Sequence, residues 1–299
     1  MNGDVRFFRF DTGSVFLNVA EIGDASKPLI ICLHGFPEYW GAWEGVMRAL
    51  APDFHVVAPD QRGFNLSDKP QGVEAYRTKH LVADLAALAD HVSPDKPFVL
   101  AGHDWGASVA YAYAFSFPQR LSHLVIANGV HPVLFQDAIS HDPEQRRASQ
   151  YITRLRAPDA EELMSADGYR RTFNMLTNFS KTGWMGESET QIYREAWSRP
   201  GAMTAMVNWY RATPIVVPGI DEPALHSPID DIPAEAMQVR MPHLLLWGEA
   251  DEALRPVTME NLDRFAADLT VKRFPENGHW LLHERPGEIA EAIRSFVQD

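Results

Sequence analysis

The chain has 299 residues, 45% of them hydrophobic and 22% charged, which fits one large globular domain with an insertion or two ordinary domains. Twenty-seven basic against forty acidic residues leave a net charge of −13 that repels phosphate backbones and anionic membranes, so neither nucleic acid nor a membrane is expected as a partner. No run approaches the roughly 20 apolar residues of a membrane helix. The first residues lack a basic stretch followed by an apolar one, and a cytoplasmic location is the expectation.

In chain order, Val15 to Ile22, Leu29 to Leu33, His55 to Ala58, Phe98 to Ala101 and Leu121 to Ala127 read as strands. Ala42 to Leu50, Leu81 to His91 and Ser108 to Phe115 carry apolar residues at helical spacing between them. This alternation predicts an α/β fold with a mostly parallel sheet and helices on both faces. The single cysteine, Cys32, falls inside one of these apolar runs and reads as a small core residue without a redox role. From about 131 to 213 the pattern turns helical, and a segment carrying Pro214, Pro218, Pro223, Pro228 and Pro233 follows. His243 to Trp247 and Val271 to Phe274 restore strands, and Pro286 to Val297 closes as a helix. The expected organisation is a core in two parts, 1–130 and 236–299, interrupted by a helical cap and return linker over 131–235.

Gly102-His103-Asp104-Trp105-Gly106 follows a strand and opens a helix, the setting in which a tight elbow lifts one side chain above a sheet. A carboxylate there is ionised near neutral pH and needs no base to activate it. Its attack on an ester carbonyl would give a reversible anhydride, whereas attack on the alkyl carbon of an epoxide or haloalkane gives an ester that water must then cleave. His34-Gly35-Phe36-Pro37 follows an earlier strand, so the Phe36 and Trp105 amides are the candidate oxyanion donors. His279 follows the last strand and Asp251 the one before it, giving the order nucleophile, acid, base. Of the other candidates, His283 is the weaker base, and Glu249 and Glu252 are fallback acids.

His34-Gly-Phe-Pro-Glu38, Asp60-Gln-Arg-Gly-Phe-Asn-Leu-Ser-Asp-Lys-Pro70, Gly102-His-Asp-Trp-Gly-Ala107 and Asn128-Gly-Val-His-Pro132 closely resemble bacterial epoxide hydrolases of the α/β-hydrolase fold, the branch with an aspartate nucleophile that also holds haloalkane dehalogenases. The resemblance implies two cap tyrosines that hydrogen-bond the epoxide oxygen. Asn208-Trp209-Tyr210-Arg211 matches the second such motif, and Ala148-Ser149-Gln150-Tyr151-Ile152 resembles the first. It also implies a small epoxide substrate contacted by Phe36, Trp105, Tyr151 and Tyr210, with neither cofactor nor metal, and the aromatic and sulfur-containing residues of the cap suit aryl or medium-chain aliphatic groups. Whether the chain is a monomer or a homodimer stays open. Trp105 beside the nucleophile also suits halide binding, but Phe36 offers no side-chain donor. A ligand-binding member of the fold without turnover is a third reading, which the complete triad disfavours. Phe173, Met175, Phe179, Trp184 and Met185 are candidates for either an apolar pocket wall or cap core.

Overall fold

The computed structural model describes residues 4–180 and 182–298. Eight strands, β1 (Arg6–Asp11), β2 (Phe16–Ile22), β3 (Leu29–Leu33), β4 (His55–Pro59), β5 (Phe98–His103), β6 (Leu121–Ala127), β7 (His243–Gly248) and β8 (Leu269–Phe274), form one sheet in the order β1-β2-β4-β3-β5-β6-β7-β8. The first two joints, β1 to β2 and β2 to β4, are antiparallel, and every later one is parallel. Strand β3 shows why its run is continuously apolar. Ile31 and Leu33 join the core on one face, while Ile30 and Cys32 join the core on the other.

Helices α1 (Glu44–Leu50) and α11 (Pro286–Gln298) pack together on one side of the sheet. On the other lie α2 (Thr78–Val92) and α3 (Trp105–Ser116). This is the predicted architecture, with one addition. Strand β1 lies outside the predicted set because as an antiparallel edge it keeps much of its surface in water, and Phe7 is 53% exposed.

Between β6 and β7 the chain is helical, as expected. It runs through α4 (Pro132–His141), α5 (Pro143–Ala148), α6 (Gln150–Arg156), α7 (Ala160–Asn178), α8 (Glu187–Ser198) and α9 (Ala202–Ala212), and short α10 (Leu281–Glu284) follows β8. His131, at the departure of this cap, donates from Nε2 to the Met237 carbonyl at its return, tying the two ends together. Gln136 pairs with both backbone groups of Val216 nearby. Among the described residues no helix is long and apolar enough to cross a membrane.

Two loops at the carboxyl ends of central strands are fixed by buried polar contacts. The Gln61 amide donates to His34 Nε2, and the Gln61 side chain donates to the His34 carbonyl, which holds the start of the loop after β3. Arg62 clamps both oxygens of Asp84 at 2.7 Å, with both side chains buried. The Asp60-to-Pro70 motif is thus explained largely by scaffolding.

Candidate active site

Asp104 sits between β5 and α3 with φ +52° and ψ −120°, a conformation that L residues rarely adopt. The flanking glycines permit it. A Cβ on Gly102 would stand 2.6 Å from the Gly106 carbonyl oxygen, and one on Gly106 would stand 2.2 Å from that of Leu33. The elbow lifts the Asp104 carboxylate off the sheet toward the loop after β3, where the Phe36 amide donates to Oδ1 at 2.7 Å. Trp105 opens α3, so its own N–H has no acceptor within the helix.

His279 Nε2 stands 3.6 Å from Asp104 Oδ2, and Nδ1 donates to Asp251 Oδ2 at 2.7 Å. The Asp251 side chain is fully buried, and its Oδ1 accepts from the amides of Ala253 and Leu254. The fallback residues lie elsewhere: Glu249 pairs with Arg273, while His283 donates to Glu38. All three predicted triad members therefore meet.

Electrostatics set the resting state of the base. Burial by itself favours the neutral imidazole, but the Asp251 charge, the hydrogen bonds to Asp104 and Asp251 and the Asp104 charge outweigh it and push His279 up to about 10. Asp251 is correspondingly held below the usual carboxylate range by His279, the Leu254 amide and Asn128, against the cost of its burial. At neutral pH the free protein thus carries an imidazolium between two carboxylates. Replacing Asp104 by Asn removes one of those charges, so the His279 ring signals, followed by NMR across a pH titration, should titrate near 10 in the unmodified protein and at lower pH in the variant. An unchanged titration would mean that Asp104 does not hold that proton.

Tyr210, on α9, is buried and wedged edge-on between Phe36 and Trp105, with ring centroids 5.1 and 5.0 Å away. Tyr151, on α6, lies 6.1 Å from the Tyr210 ring. Burial first raises both phenols far above their ordinary range, followed by the Asp104 charge at Tyr151 and by Tyr151 and then Asp104 at Tyr210, so each stays a hydrogen-bond donor. Arg156 ties the two tyrosine helices by donating to the Tyr210 and Ile215 carbonyls. Two largely apolar cavities border Asp104. Met175 and Phe179 line one of them, whereas Phe173 tilts onto Trp197 and Trp184 stacks on His283 at 3.8 Å.

Three features of the site were not among the predicted residues. Asn128, with φ +35° just past β6, donates to Asp251 Oδ2 at 2.8 Å and accepts from the Gly248 amide at 2.9 Å. Asn128→Ala removes both contacts inside a closed interior, and a loss of about 2 kcal/mol is expected in chemical denaturation, with slower turnover as Asp251 loses its brace. Arg156, described above, is the second. The third is a buried cluster behind the base. Glu38 accepts from Tyr193 and His283 and faces His103 Nδ1 at 3.3 Å, and His103 Nε2 donates to the His279 carbonyl at 2.9 Å. Burial opposes charge on Glu38, but His283 and His103 hold its carboxyl well below the ordinary range. Glu38 and Asn128 are visible in the motifs as residues; their pairing with partners 65 or more positions away is not.

The model of the alpha/beta hydrolase fold matches residues 28–286, and the chain belongs to that family. More particularly, its relatives include epoxide hydrolases. It is 32% identical to epoxide hydrolase A of Mycobacterium tuberculosis, over 96% of this chain and 95% of that one. It is equally 32% identical to the AB hydrolase superfamily protein YfhM of Bacillus subtilis, over 97% of this chain and 96% of that one. Among solved structures, an epoxide hydrolase of the alpha/beta hydrolase superfamily from hot-environment metagenomes superposes with a TM-score of 0.88 at 32% identity, covering 99% of both chains.

Proposed function

We propose that this protein hydrolyses epoxides to vicinal diols through an alkyl ester on Asp104. The observation that carries this reading is a carboxylate at the elbow, backed by the His279–Asp251 pair, with two un-ionised tyrosines beside the same cavity.

Asp104 attacks one ring carbon as its C–O bond breaks, and Tyr151 and Tyr210 bind the departing oxygen, one of them giving it a proton. Esterification cancels the Asp104 charge that helped keep His279 protonated, so the imidazolium releases its proton to the tyrosinate. The base therefore becomes neutral when water has to be activated. His279 takes a proton from water, hydroxide adds to the ester carbonyl, and the Phe36 and Trp105 amides receive the oxyanion. Collapse of that intermediate breaks the acyl–oxygen bond, its hydroxyl proton passes to the departing alkoxide, and Asp104 is restored beside protonated His279.

A single turnover in heavy-oxygen water tests the route. The label is expected in the Asp104 carboxylate, detected by peptide mass spectrometry, with unlabelled diol released. Label in the diol of that first turnover would sink the covalent step.

A further inference from the structure

The smaller of the two cavities that border Asp104, about 280 Å³, runs between the cap and Trp280, and a face of α7 forms one side of it. That helix breaks at residues 166–169 and resumes. The Trp280 indole donates to the Met175 carbonyl at 3.1 Å, which seats the resumed part beside His279. At about 100° per residue, Asn174, Asn178 and Arg171 fall within one sector of about 60°, with Met175 next and Phe179 beyond it. All five line the cavity. Met175 and Phe179 are half-buried, whereas Arg171, Asn174 and Asn178 are exposed. The apolar side of the helix is therefore the inner wall, and the polar stripe is the mouth.

Charge at this mouth is unbalanced. Asp104, at the floor, is the only carboxylate among the described residues that line the cavity. Of the two arginines there, Arg154 gives both terminal nitrogens to Asp159, at 2.6 and 2.7 Å. Arg170, outside the cavity, is paired with Asp167. The Arg171 guanidinium pairs with no other described residue. On a chain of net charge −13, an unspent guanidinium at the entrance to an apolar cavity is a local point of attraction for an anion. Its fork and the amide N–H groups of two asparagines are all donors, which suits the oxygens of a carboxylate. One free positive charge balances a carboxylate but not a phosphate monoester, which carries about −1.5 to −2.

Resting on the epoxide reading above, we propose that Arg171, supported by Asn174 and Asn178, binds a carboxylate of the substrate at this mouth. The chain between that carboxylate and the epoxide ring then crosses the apolar wall to Asp104. The protein selects epoxides that end in a carboxylate over neutral epoxides of the same length.

The test compares a length series of straight-chain acids carrying a terminal epoxide with the primary amides of the same acids. The amide keeps length and shape and removes the charge. At the best length, kcat/KM for the acid should exceed that for the amide by about five- to tenfold, the range of a solvent-accessible charged hydrogen bond. Arg171→Gln should bring this ratio to about one. Arg171→Lys keeps the charge and loses the fork, so an intermediate ratio is expected. Each ratio is taken within one protein, so partial misfolding of a variant does not move it. A ratio at or below one at every length in the unmodified protein, or one that survives Arg171→Gln, overturns the inference.

Octanoate and octanamide, which carry no epoxide, separate this inference from the reaction itself. A calorimetric preference of the unmodified protein for octanoate, lost in Arg171→Gln, would uphold the mouth site even if no epoxide gave a diol. Normal diol formation from neutral epoxides without that preference, or with one that Arg171→Gln leaves intact, would reject the site and leave epoxide hydrolysis standing.

Discussion

His279→Gln should turn the protein into a trap for its own intermediate. Alkylation requires the Asp104 carboxylate and a proton donor at the ring oxygen, and neither is removed by this substitution. Hydrolysis of the ester requires a base for water, and glutamine is none. Steady-state diol formation is expected to fall by about 10²- to 10⁴-fold, the usual range for losing a positioned general base. The first turnover should still proceed, leaving the protein heavier by one substrate mass in intact-protein spectra, with the adduct on the Asp104 peptide. Asp104→Asn should show neither adduct nor diol, because its amide is a poor nucleophile even though the elbow is intact. Diol turnover by His279→Gln at the normal rate, without adduct, would show that water attacks the epoxide directly.

The positions of Asp104 and His279 were legible because the fold makes chemistry a matter of place along the chain. The elbow follows the strand at the centre of the sheet, and the base follows the last strand. Apolar runs such as Leu29 to Leu33 and His243 to Trp247 announced those strands, since burial on both faces leaves no polar alternation to confuse them. Strand β1 escaped for the opposite reason, as an exposed edge whose side chains carry little burial signal. The polar braces were illegible in another sense. Asn128 reaches Asp251 across 123 positions, and Tyr193 reaches Glu38 across 155. Such pairs arise only when the cap and the sheet ends are brought together. The aromatic residues of the cap show the same limit. Their composition promised both a wall and a core, and only three-dimensional placement assigns Phe179 to the cavity and Phe173 to packing against Trp197.

The tyrosines decide between epoxide and halide as the bond to be broken. An alkoxide is far more basic than a phenol with an ordinary pKa near 10, so its expulsion is assisted by a donor that can hand over a proton, whereas a halide leaves without one. Tyr151 and Tyr210 are both kept protonated by burial and by the Asp104 charge. Replacing both by Phe keeps the Tyr210 ring that packs on Phe36 and Trp105 and the Tyr151 ring beside it, and removes the hydroxyls. The double variant is expected to lose about 10²- to 10⁴-fold in epoxide opening, measured as the rate of ester formation in a single turnover on a His279→Gln background. Each single variant should retain part of the rate, since either hydroxyl still polarises the ring oxygen. Displacement of bromide from a matched bromoalkane should change little, because a halide leaves without a proton and the Asp104 elbow is intact. A double variant that opens epoxides normally would remove the tyrosines from the mechanism, and equal losses on both substrates would mean that they shape the cavity and take no part in proton transfer.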